Sequence, residues 1–216
     1  MAVTGAYRGV SAEDRRARRR QLLIDTALDC LHADGLSGVS VRSVCARARL
    51  TPRYFYESFD DLDELLVTTV DSVVDEVAER ALAALAAAPD DLAAQVRAAI
   101  DAGYGVVATD ARKASALLVA ATGHGPLRER RHKLVTDYAD LIIDGLPLLN
   151  RMGLVQRRTA RSTALFLMGG AADVIEAVLS GRLRMSRSDV VTHLTAMWVS
   201  VLSGTPTAGP ASPRRR

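Results

Sequence analysis

Aromatic residues make up only 4% of this 216-residue chain, and cysteine occurs twice. An Ala/Leu/Val-rich interior with so few rings suits packed helices better than a strand-rich sandwich. The two thiols, Cys30 and Cys45, fall at apolar positions of helical patterns. With no CxxC pair and no metal spacing, they read as buried thiols of a cytosolic protein. No alternating strand pattern bounded by hairpin turns appears, and no internal repeat. The P-loop, GxSxG, HExxH and dinucleotide fingerprints are also missing. One Glu-x-x-His occurs, Glu129 to His132, but a di-iron carboxylate bundle needs two such motifs and two more carboxylates. The expectation is a protein without catalytic residues, metal or cofactor. Long hydrophobic runs are scarce: Ala164 to Ala172 is too short to span a bilayer and carries Gly169 and Gly170. Arg15 to Arg20 leads into an amphipathic helix and not into the apolar core of a signal peptide. The expected location is therefore the cytoplasm, with no membrane partner.

What is present is unevenly charged. The net charge is +3, but residues 1–57 hold 10 arginines, no lysine and 6 acids, a balance of +4. The remaining residues hold 18 basic and 19 acidic side chains, a balance of −1. Positive charge gathered at one end is the footprint of a polyanion-binding module.

Helical periodicity runs through most of the chain. Ser11 with Asp14 forms a capping-box start, Leu23, Ala27 and Leu31 make one stripe with Ile24 and Leu28 beside it, and Asp34-Gly35 is a stop. A second helix begins after Ser40, with Val41, Val44, Cys45 and Ala48 on one face. Thr51 is placed to cap a third, with Pro52 at its first position and Leu50 and Phe55 spaced as a hydrophobic staple; it ends by Ser58 or Phe59. Asp61 caps a long fourth helix, Glu64 completes a second capping box, and the pattern stops near Pro89. Further helices are expected at about 91–109, 112–121, 127–149, 159–180 and 188–203, with breaks at 123–126, 152–153 and 180–181. The second and third helices are close enough to be a helix-turn-helix pair, whose second member lies in the major groove of DNA.

The residues of this stretch carry a resemblance. Ala27-Leu28, Gly35, the run Ser40 to Ala46, Leu50-Thr51, Phe55 to Phe59 and Leu65 follow a family pattern, so that Leu22 to Leu66 resembles the DNA-binding domain of the TetR (tetracycline repressor) family. Three departures stand out. Arg49 occupies a turn position where the family usually has Gly, which suggests a turn of another shape because a non-Gly residue in a left-handed conformation costs roughly 1 kcal/mol. Arg53 replaces a small residue, and an acid, Glu57, sits where a basic residue or His is common. Glu57 is expected to point away from DNA or to accept from a cytosine amino group.

The fold expected is all-α: a three-helix helix-turn-helix domain over residues 11–60, then a helical-bundle effector-binding and dimerisation domain over 61–204, with tails at 1–10 and 205–216. The resemblance implies a transcriptional regulator, a repressor that binds a palindromic double-stranded operator as a homodimer and is released by a small hydrophobic effector. It also implies that the last two long helices pair between subunits. The expected DNA contacts are Arg42 and Thr51 to phosphate, Pro52 and Tyr54 in the first turn of the reading helix, Arg53 to guanine, and Tyr56, which resembles the family's phosphate-contacting tyrosine. Arg15 to Arg20 is placed to act as a minor-groove or backbone arm. In the second domain, polar or aromatic interruptions of apolar stripes nominate Tyr104, His124, Tyr138, Phe166 and Asp173 for an effector pocket.

Overall fold

The structure is a computed structural model; it describes residues 11–123, 125–145 and 154–203. Among those residues all regular secondary structure is helical, and no strand occurs. In chain order the helices are α1 (Ala12–Gly38), α2 (Val41–Ala48), α3 (Pro52–Tyr56), α4 (Leu62–Ala87), α5 (Leu92–Ala108), α6 (Ala111–Thr122), α7 (Pro126–Gly145), α8 (Leu154–Leu179) and α9 (Arg187–Ser203). The expected tails, the break at Met152-Gly153 and the end of the 127–149 helix lie outside the described residues, as does His124.

The caps explain where the helices start. Ser11 accepts from the Asp14 amide at 2.9 Å and Asp14 returns a bond to the Ser11 amide. Ser40 and Ser43 form the same reciprocal box on α2. The box on α4 differs from its expected form: Asp61 accepts from the Glu64 amide, but the Glu64 carboxylate reaches the amide of Asp60, one residue earlier. Gly35 has φ +64° and ψ −179°, so it bends α1 as expected of a glycine stop, and one more turn follows to Gly38.

Leu23, Ala27 and Cys30 of α1, Val44 of α2 and Phe55 of α3 are fully buried, and Phe59 is nearly so. Together they close a small three-helix core against Leu65 and Leu66 of α4. Full burial of a large apolar side chain contributes about 1.5–3 kcal/mol, which is ample to fix helices as short as α2 and α3. α4 then passes into the second region, where it packs on α5, α6 and α7, while α9 lies on α5 and α8 on α7. Beside Gly105 of α5, the Arg187 guanidinium of α9 lies where a Cβ would stand 2.8 Å from its Nη2, and that close approach lets it pair with Asp101.

α8 is more apolar than the short run Ala164 to Ala172 suggests. Ala160–Leu179 is long and apolar enough to cross a membrane by length and composition alone, with a mean hydropathy of 1.5. It is tied by ion pairs to its neighbours: Arg131 of α7 to Asp173, Arg161 to Asp140 of α7, and Arg182 to Glu176.

Candidate DNA interface and ligand cavity

The turn between α2 and α3 keeps its left-handed shape despite Arg49. Arg49 has φ 55° and ψ 39°, which corrects the expectation of a different turn. Two hydrogen bonds offset the strain: Leu50 N–H donates to the Cys45 carbonyl at 3.0 Å, and Arg49 N–H donates to the Ala46 carbonyl at 3.3 Å. This is the paired pattern of a Schellman stop. Three residues, 49 to 51, therefore suffice to re-aim the chain into α3.

α3 is shorter than expected, five residues with a further turn to Ser58. Thr51 stands at the cap position but makes no side-chain capping bond. Phe55 faces inward, edge-on to Tyr56 at a centroid separation of 5.3 Å and tilted against Phe59 at 5.9 Å. Its burial turns Thr51, Pro52, Arg53, Tyr54 and Tyr56 outward, and Arg42 on α2 is also exposed. All six expected DNA-contact residues are thus solvent-facing on one helix-turn-helix unit.

Two charged features take a form that local spacing does not show. Arg15 to Arg20 forms the first turns of α1 and not an extended arm. Arg19 and Arg20 fold back onto the unit: the Arg19 guanidinium lies 4.7 Å from the centre of the Tyr54 ring, and that of Arg20 lies 4.6 Å from the centre of Phe59. Glu57 is held between two arginines. Its Oε1 accepts from Arg53 Nε at 3.1 Å and its Oε2 from Arg19 Nη2 at 3.4 Å. The i,i+4 spacing of Arg53 and Glu57 is legible in the sequence, whereas the contribution of Arg19, 38 positions away from Glu57, is not.

Among the cavities of the second region, two half-open ones share walls. One, of about 190 Å³, lies among Val70 and Val74 of α4, Leu117 and Ala121 of α6, Leu134 and Tyr138 of α7 and Met168 and Leu179 of α8. The other, of about 220 Å³, lies between α4 and α5 and ends at Leu194 and Trp198 of α9. Val74, Val77, Tyr138, Met168, Ala171 and Ile175 line both. The Tyr138 hydroxyl donates to Asp75 at 3.1 Å. Burial, together with this bond to a carboxylate, pushes its pKa up to about 12, so the ring is neutral at physiological pH. Charged groups in the lining are confined to the first cavity, where Arg131 and Glu176 stand.

The other nominated pocket residues fall elsewhere. Tyr104 is buried in the core, and neither cavity is lined by it, because α5 turns Ile100 and Gly103 to the second cavity instead. Phe166 is 69% exposed on the outer side of α8. Asp173 is exposed as well and forms an ion pair with Arg131, which lines the first cavity. Glu129 and His132 are both exposed on α7, and the arginines between them pair with Asp71 and Asp173. Cys30 and Cys45 are buried free thiols whose pKa values burial raises.

Solved structures share this arrangement across nearly their whole length. A TetR-like transcriptional regulator from Rhodococcus sp. RHA1 matches with a TM-score of 0.61 at 20% identity, covering 88% of this chain and 98% of that one. The fold is that of the TetR-like regulators. The fatty acid degradation regulator FadR from Bacillus halodurans matches with a TM-score of 0.68 at 13% identity, over 88% of this chain and 97% of its own. A TetR family transcription regulator from Marinobacter aquaeolei VT8 matches with a TM-score of 0.58 at 15% identity, over 86% and 96%. No protein-family model matches the sequence, and no curated protein matches it. The TetR-like fold agrees with the resemblance read from Leu22 to Leu66.

Proposed function

We propose that this chain is a cytoplasmic, non-catalytic transcriptional repressor that binds a palindromic operator as a homodimer and leaves it when a small hydrophobic effector binds. The observation that carries the reading is the α2–α3 unit: Arg42, Thr51, Pro52, Arg53, Tyr54 and Tyr56 all exposed on a unit whose interior is fully buried. In this reading residues 11–60 are the DNA-binding domain and 61–204 the effector and dimerisation domain. α3 enters the major groove, Arg53 reads a base, and Arg42, Thr51 and Tyr56 anchor to phosphate.

Two features support the dimer. Phe166 and Met197 are exposed on α8 and α9, and only 11% of the apolar window in α8 is buried within the chain. Among the described residues nothing lies within 4 Å of a Cβ built on Gly169 or Gly170, which leaves room for a partner helix to approach. A four-helix interface from two copies of α8 and α9 would cover this surface.

The cavities support the effector. Their walls are apolar, α4 belongs to both, and α4 starts directly after the reading helix. α6 supplies a second route, since it lines one cavity and reaches α1 through Arg112 to Asp29 at 3.0 Å and Ser115 to His32 at 3.0 Å. A ligand that fits the cavities better in the released state shifts the equilibrium away from DNA by its difference in affinity for the two states. Hydroxyl-radical footprinting on the protein's own upstream DNA tests the reading. Two protected half-sites about one helical turn apart are expected, and a single unpaired footprint would contradict the dimer.

A further inference from the structure

We propose that Arg53 reads guanine with the end of its guanidinium fork, and that Glu57 and Arg19 are positioning residues that hold the fork in place. The inference rests on the reading of α3 as the recognition helix and on the guanine contact expected of Arg53, and adds the device that orients it.

The Arg53 side chain is 84% exposed, so no apolar packing orders it. An arginine that free loses much rotamer freedom when it meets a base. Its order comes from one bond: Nε donates to Oε1 of Glu57 at 3.1 Å, one turn further along. The choice of atom matters. A guanidinium carries five N–H groups, and a bond through Nε leaves Nη1 and Nη2 for another partner. Those are the two nitrogens whose spacing matches the O6 and N7 acceptors of guanine in the major groove. Adenine offers an acceptor and a donor on that edge and so cannot take both.

Glu57 is itself held. Its second oxygen accepts from Arg19 Nη2 at 3.4 Å, and Arg19 is only 24% exposed, stacked on the Tyr54 ring. Among the described residues Arg19 Nε has no hydrogen-bond partner, and Glu57 and the Tyr54 ring face are contacts of the guanidinium. The chain of contacts therefore runs from α1 through Glu57 to Arg53. Both carboxylate oxygens face arginines, so an acid stands on the reading helix with its charge already compensated before a phosphate approaches.

The test begins with selection of duplexes from a randomised pool by the full-length protein, and by Arg53→Ala to locate the G·C pair it reads. Preference at that pair is then measured for Glu57→Ala, Glu57→Gln and the double variant Arg53→Ala/Glu57→Ala, beside affinity for a scrambled duplex. Glu57→Ala is expected to lower the preference for guanine at that pair alone by on the order of tenfold. Affinity for the scrambled duplex should rise at the same time, since a negative charge leaves the interface; a loss of folding would not move the two in opposite directions. Glu57→Gln keeps one acceptor and should retain more of the preference than Ala. The double variant should be no less selective than Arg53→Ala. Unchanged or increased guanine preference in both Glu57 variants would overturn the proposal while leaving Arg53 as the reader. A wild-type protein that selects no sequence would instead overturn the recognition-helix reading, and this inference with it.

Discussion

In the N-terminal unit Leu23, Val44 and Phe55 are sealed from solvent, whereas in α8 every aliphatic side chain from Met168 to Leu179 is only half-buried. The two regions are built from the same kind of helix and, on the proposed function, solve opposite problems. A helix that reads DNA would have to hold a few side chains in fixed positions, and dense packing does that, because a close-packed interior resists displacement. A domain that takes up an effector would need space and a choice of arrangements. Its two cavities forgo the dispersion contacts that close packing would give. Charge is divided the same way: the +4 balance lies in residues 1–57 and the near-neutral remainder holds the cavities.

Cutting into each core compares them directly. Phe55→Ala should cost about 3–5 kcal/mol in urea unfolding. Met168→Ala, at a wall that already lacks neighbours, should cost about 2 kcal/mol or less. Equal costs would break the comparison. Phe166→Glu, on the outer side of α8, should leave the helical content unchanged and shift the protein from dimer to monomer in sedimentation velocity. A persisting dimer would remove α8 from the interface.

Arg53→Ala should lower affinity for the selected operator by about 1–3 kcal/mol and relax one base pair, while Arg42→Ala should weaken binding to all sequences alike and flatten the salt dependence. Titration of competing duplexes separates the two. The smallest effect lies where the regions meet. Arg112 bridges Asp29 of α1 and Asp110 at the start of α6, and holds the Asp110 carboxyl at about 2. That value lies below the ordinary Asp value of about 3.9. The stabilisation is therefore complete above about pH 4 and is lost as pH falls through about 2. Such an exposed pair contributes about 1 kcal/mol at most. Asp110→Asn should remove this part of the acid sensitivity, read as the difference between acid-unfolding curves of variant and wild type.

The dense region was the more legible of the two. Its caps at Ser11, Ser40 and Asp61, its buried stripe and the inward Phe55 all follow from local spacing, which is how short helices declare themselves. What local spacing cannot carry is a contact across dozens of residues, and so the clamp of Arg19 on Glu57 was not foreseen. At Arg49 residue type does not dictate the turn, because two backbone hydrogen bonds hold the left-handed conformation. In the second region, helix positions were readable to within a few residues but the pocket was not. Tyr104 and Tyr138 look alike in sequence, each a tyrosine on an apolar face; one is buried in the core and the other lines both cavities. The difference is set by how α4, α5, α7 and α8 are rotated against each other, and single-helix periodicity does not encode that.

The central claim, that residues 11–60 read DNA sequence, is tested most directly by fluorescence anisotropy of the full-length protein. A duplex from its own upstream region is compared with a scrambled duplex at physiological salt. The account predicts a preference of about a thousandfold or more, the range of specific regulators. Equal, salt-sensitive binding to both duplexes, or binding to neither, would contradict it.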